Sequence, residues 1–205
     1  MHKKMFTMLV GLSGLCAILF ISIHLIVNSL VVFDSINASG GIVYNQVNHF
    51  IYSNPFAKTF ESLIAIGFLC HIFMASVHAL QKLKKEATLS SAKEMLILGL
   101  LIFCFLIMHL LQFRLKTDVT SVIINNIKMD NMFLVVFNTL SNSKIYCLIY
   151  MITGILLGLH MHNGFLSMMK KTGKNSNNTA QKIATTFGIF FSVGFVAIPL
   201  YFIFA

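Results

Sequence analysis

Five apolar runs, at residues 5–33, 59–81, 95–113, 145–169 and 183–205, decide what this chain can fold into. Each reaches or approaches the ~20 residues an α-helix needs to cross ~30 Å of hydrocarbon. Glu61 is the only Asp, Glu, Lys or Arg within them. Backbone N–H and C=O groups inside a bilayer have no water to bond, so such runs must close their hydrogen bonds internally, as helices. The expected fold is an all-α membrane protein: one domain over residues 1–205, built as a bundle of five transmembrane helices. The first run follows M-H-K-K and approaches thirty residues, well beyond the ~7–15-residue core of a signal peptide, and is expected to remain as the first helix.

Composition supports the membrane class. Only 10% of the residues are charged, against about 25% in soluble domains. The formal charge of +9 would suit nucleic acid, but the Lys and Arg residues lie almost wholly between the apolar runs. There they serve as topology signals and headgroup contacts, and no nucleic-acid partner is expected. With the N-terminus inside, the inner segments hold Lys3, Lys4, Lys82, Lys84, Lys85, Lys93, Lys170, Lys171, Lys174 and Lys182. The outer segments hold Lys58, Arg114, Lys116, Lys128 and Lys144 and are the longer ones. The positive-inside rule then gives a cytoplasmic N-terminus and an outer C-terminus. The inner loop at 170–182 reads as polar and mobile. The outer loops, at 34–58 and 114–144, are long enough to hold short interfacial helices, for instance around 44–52.

Cys16, Cys70, Cys104 and Cys147 each fall in an apolar run with no C-x-x-C pair, which reads as small buried hydrophobes and argues against an iron–sulfur cluster in this chain. No phosphate-binding glycine loop and no Ser/His/Asp pattern is present.

The chemistry rests on histidine. His24, His71, His109 and His160 each lie deep in a different run, where an ionisable group is costly and marks a site. At 1.5 Å per residue, His71 is about 16 Å from the level of Lys82, and His160 about 15 Å from that of Lys170. His109 is about 24 Å from Lys93 and His24 about 30 Å from Lys4 on the same count. The four thus form two levels about 10 Å apart, the second and fourth helices supplying the inner pair and the first and third the outer pair. Two bis-histidine haems, one above the other, need this arrangement, and iron with two axial imidazoles is an electron carrier. A lone intramembrane histidine also serves as an ordinary interhelical hydrogen-bonding group; four at matched depths favour ligation. Gly14, Ala17, His24 and Asn28 share a side of the first helix. Gly67, His71, Ala75 and His78 form a small-residue stripe on the second, and His160 shares its face with Gly164 and Ser167 on the fourth. No other histidine is expected at the level of His78, which reads as surface-facing or propionate-contacting; His162 reads as structural.

Six stretches, in order along the chain, carry a resemblance: H-L-I-V-N at 24–28, N-Q-V-N-H-F at 45–50, S-N-P-F-A-K-T-F-E at 53–61, C-H-I-F at 70–73, M-H-L-L-Q-F-R at 108–114 and H-M-H-N-G-F-L-S at 160–167. The ordered set resembles the five-helix, dihaem cytochrome b subunit of succinate dehydrogenase/fumarate reductase; the last helix matches only as an apolar span. The resemblance implies two haem b groups, the inner iron on His71 and His160 and the outer on His24 and His109. It also implies a bacterial cytoplasmic membrane, a flavoprotein and an iron–sulfur protein docked on the cytoplasmic face, and menaquinone as the quinone. The dicarboxylate chemistry would reside in those partners. Some relatives carry a carboxylate shortly after the histidine of the first outer loop, where this chain has Tyr52. Glu61, which does match, takes its place, and His49, Glu61 and Arg114 form the expected quinone-side cluster. Two rivals remain open: a small proton-coupled transporter whose histidines relay protons without haem, and a dihaem cytochrome b serving another dehydrogenase.

Overall fold

The protein is described here by a computed structural model covering residues 2–85, 90–171 and 178–204. Five long helices carry the apolar runs: α1 (His2–Ile36), α3 (Pro55–Lys85), α4 (Ser90–His109), α6 (Lys144–Lys171) and α7 (Asn178–Phe204). Their membrane-length segments are Met8–Ile36, Pro55–Gln81, Lys93–Arg114, Lys144–Met169 and Asn178–Phe204, with mean hydropathy between 1.6 and 2.5. The expected all-α membrane bundle is the observed one, and its helix ends fall within a few residues of the apolar boundaries. Of the polar loop expected at 170–182, residues 170–171 and 178–182 belong to α6 and α7, and 172–177 lie outside the described residues.

The helices close into a ring, α1 against α3, α3 against α4, α4 against α6, α6 against α7, and α7 back against α1. Leu63, Phe73, Leu100 and Ile189 stay exposed on the outside, where the solvent is lipid and there is no penalty for it. The closest seam is α6–α7. A Cβ at Gly158 would lie 2.5 Å from the Gly188 carbonyl oxygen, and one at Gly188 would lie 2.8 Å from the Gly158 oxygen. Small residues four apart, Gly154 and Gly158, therefore let two backbones touch, which is how helices gain packing energy in lipid.

One end of the ring is covered by the loops that the chain reading placed outside. These loops form α2 (Ile42–Ser53), a hairpin of β1 (Ser121–Ile124) and β2 (Ile127–Asp130), and α5 (Met132–Ser141). Short interfacial helices were expected in these loops, for instance around 44–52, where α2 lies; the hairpin was not. It turns through Asn125 and Asn126, both left-handed at φ 52° and 63°, with Ile124 paired to Ile127. Two consecutive left-handed residues suit a tight hairpin, and asparagine tolerates that conformation.

Three polar residues lock this cap. Asp34, fully buried at the end of α1, accepts the Tyr44 N–H at 2.7 Å and the Val43 N–H at 3.3 Å. Its charge sits at the N-terminus of α2, where Gly41 offers no capping side chain, so helix dipole and orphan donors stabilise it. Asn45, also fully buried, donates to Asn131 Oδ1 at 3.1 Å and accepts the Phe133 N–H at 2.9 Å, tying α2 to the start of α5. Asn54 accepts the N–H groups of Phe56 and Ala57 and is followed by Pro55 at the first helical position, which fixes where α3 begins. The best-packed core, Val31, Tyr44, Phe133, Leu140, Cys147 and Phe191 among others, lies beneath this cap.

Candidate functional site

His24 on α1 and His109 on α4 face each other at the cap-end level, ring centroids 5.5 Å apart and planes at 82°. Aromatic rings box them in. Phe20 stacks on His24 at 5.6 Å, Phe195 from α7 lies 6.3 Å from it, and Phe105 stacks on His109 at 5.6 Å. α4 ends at His109, and the next residues form a π-helical turn, Leu110–Arg114, closed by the Leu115 N–H on the Leu110 carbonyl at 2.9 Å. Such turns recur at functional sites because they re-aim the side chains around them. The His109 Nδ1 is 3.1 Å from the Tyr150 hydroxyl, which donates to Gln112 Oε1 at 2.6 Å.

His71 and His160 make the second level. His71 on α3 packs against α1: a Cβ on Gly14 would lie 3.6 Å from its Cε1. Its Nδ1 is 3.3 Å from Ser13 Oγ, and that hydroxyl donates to the Val10 carbonyl at 3.0 Å, leaving the oxygen free to accept from His71. His160 on α6 meets Gly99 on α4, where a Cβ would stand 3.7 Å from its Cε1. His160 Nδ1 is buried without a hydrogen-bond partner among the described residues.

The donor set fits haem b. Two metal–nitrogen bonds of about 2 Å each put opposed imidazole centroids about 6 Å apart, close to what His24 and His109 present. His71 and His109 can each present a proton-free Nε2, because the hydroxyls at their Nδ1 atoms have spent their own protons elsewhere. Glycines opposite His71 and His160 leave space beside the rings. α3 and α4, which carry His71 and His109, are sparsely covered by the rest of the chain. Among the described residues no three His, Cys, Asp or Glu side chains converge, but a bis-histidine iron needs only two.

His78 lies two turns along α3 from His71, half-buried. His162 faces α7, with its Cβ 3.0 Å from where a Cβ on Gly188 would be, in keeping with a structural role.

At the cap, two of the three expected quinone-side residues gather on Tyr52. The Arg114 guanidinium lies 4.7 Å over the Tyr52 ring. Burial pushes the Tyr52 phenol up, Arg114 opposes that rise, and the negative charges of Glu61 and Asp130 add to it. His49 lies one turn before Tyr52 on α2, half-buried, and Glu61 is half-buried near the start of α3. Tyr52, Asp130, Tyr150, Gln112 and Ser13 were absent from the expected set. Gln112 carried a signal, being an amide inside an apolar run, and Tyr52 stood out only as the residue in place of a carboxylate; the others did not stand out. No family model matches the chain, and no curated protein or solved structure matches it either.

Proposed function

We propose that the chain is the membrane-anchor cytochrome b subunit of a succinate:quinone oxidoreductase. The observation that carries this reading is the meeting of His24 and His109 from two different helices at 5.5 Å; His71 and His160 are the second pair the reading uses. Haem b, if held by these histidine pairs, would supply one-electron transfer chemistry. His24 and His109 would hold one centre from α1 and α4, and His71 and His160 the other from α3 and α6. The phenylalanines around the first couple keep water from the rings. In this reading the cap is the outer face and the N-terminus is cytoplasmic. The flavoprotein and iron–sulfur partners dock at the end opposite the cap, and menaquinone reacts near the cap.

At that quinone side Arg114 orients Tyr52 through its ring, and Glu61 and Tyr52 hold the protons that a quinone takes up or releases. Replacing Glu61 by Gln is expected to slow quinone turnover at least several-fold while the haem spectrum stays intact; a full-rate variant would remove Glu61 from the proton route. The function as a whole is tested by a dithionite-reduced minus oxidised visible spectrum of the purified chain with pyridine haemochrome quantification. Two b haems per chain are expected. A folded preparation without haem would sink the cytochrome reading and promote a proton-relaying transporter.

A further inference from the structure

We propose that Tyr150 and Gln112 are positioning residues that decide which nitrogen of His109 is free to bind iron; the inference rests on the cytochrome reading above. The argument is one of counting protons. The Tyr150 hydroxyl has a single proton, and it goes to Gln112 Oε1 at 2.6 Å. Towards His109 Nδ1, 3.1 Å away, the same oxygen acts only as an acceptor, so Nδ1 carries the imidazole proton and Nε2 presents its lone pair. The orientation of the Gln112 amide sets this direction. Were the amide turned, its NH2 would donate to Tyr150, Tyr150 would donate to Nδ1, and the proton on Nε2 would remove it as a ligand.

Two further observations make this more than a packing contact. Tyr150 is held between Phe105, at 4.8 Å between centroids, and Phe113, at 6.3 Å, so its hydroxyl is not free to swing away. Gln112 Nε2 is buried with no partner among the described residues. A glutamine kept there for stability alone would have both ends of its amide satisfied; here only the end facing Tyr150 is. The π turn that follows His109 carries Gln112, so ligand and amide reach the same tyrosine from adjacent turns.

Hydrogen-bond donation from Nδ1 makes a ligating imidazole more basic and favours the oxidised metal. The relay therefore holds the potential of the His24–His109 haem down. The test is a redox titration of the purified complex followed at the haem α-band, with that haem identified as the one lost in His24→Ala. Tyr150→Phe is expected to raise its midpoint potential and leave the His71–His160 haem unmoved. Gln112→Leu should shift it the same way, and the double variant no further than Tyr150→Phe, because the two act in series. Tyr146→Phe, one turn away on α6, should change neither. Two retained haems with unshifted potentials in Tyr150→Phe would overturn the relay, as would equal shifts in both. A wild-type protein without haem would instead overturn the function on which it rests.

Discussion

The purified His24→Ala variant is expected to keep one haem of the two, with the pyridine haemochrome falling to about half and the α-band losing one component. The prediction follows from how separately the two couples are built. His24 meets His109, Phe20 and Phe195. His71 and His160 lean instead on Ser13, Gly14 and Gly99, none of which touches the first couple. The helix itself should survive, because Asn28 Nδ2 donates to the His24 backbone carbonyl, which alanine retains. His71→Ala should give the complementary spectrum, losing the other component. Imidazole added to His24→Ala should restore the missing band, since His109 is still held by Tyr150. Loss of both haems from a folded His24→Ala protein would mean that the couples are not independent, and retention of both would mean that His24 is not a ligand.

What was legible in the chain, and what was not, divides along physical lines. The five spans could be read because a bilayer demands continuous apolar length, and no local detail competes with that demand. The His24–His109 couple was legible because helical rise converts sequence position into depth, and matched depth on different helices is what a couple needs. The cap was harder. Its order comes from buried Asp34, Asn45 and Asn131, whose partners lie on other segments, and no local pattern announces such pairings. The hairpin had a readable signal in Asn125-Asn126 between β-branched residues, overlooked beside the interfacial-helix expectation for a long outer loop. The π turn after His109 has no sequence signature at all. Tyr52 drew notice only as a departure from the family pattern, yet Arg114 and Glu61 both act on it.

Gly41→Ala should damage the cap more than any other glycine substitution there, and Gly40→Ala provides its control. Both glycines have left-handed backbones, at φ 66° for Gly40 and 87° for Gly41, so alanine at either costs about 1–2 kcal/mol in strain. Gly40 has nothing within 4 Å of its would-be Cβ, and the cost stops there. At Gly41 the added methyl would lie 2.2 Å from Phe133 Cγ, 2.3 Å from its Cβ and 2.6 Å from its Cδ1. Phe133 cannot easily retreat, because its N–H is bound to buried Asn45 and its side chain packs in the core beneath the cap. Overpacking of this kind adds about 1–3 kcal/mol. The melting temperature in detergent should therefore fall clearly further for Gly41→Ala than for Gly40→Ala; equal falls would mean that Phe133 is not fixed against α2. Relief of the clash requires α2 to move relative to α5, and α2 carries Tyr52 to Arg114. Gly41→Ala should accordingly lose quinone turnover while keeping both haems, which separates damage at the cap from damage to the histidine couples.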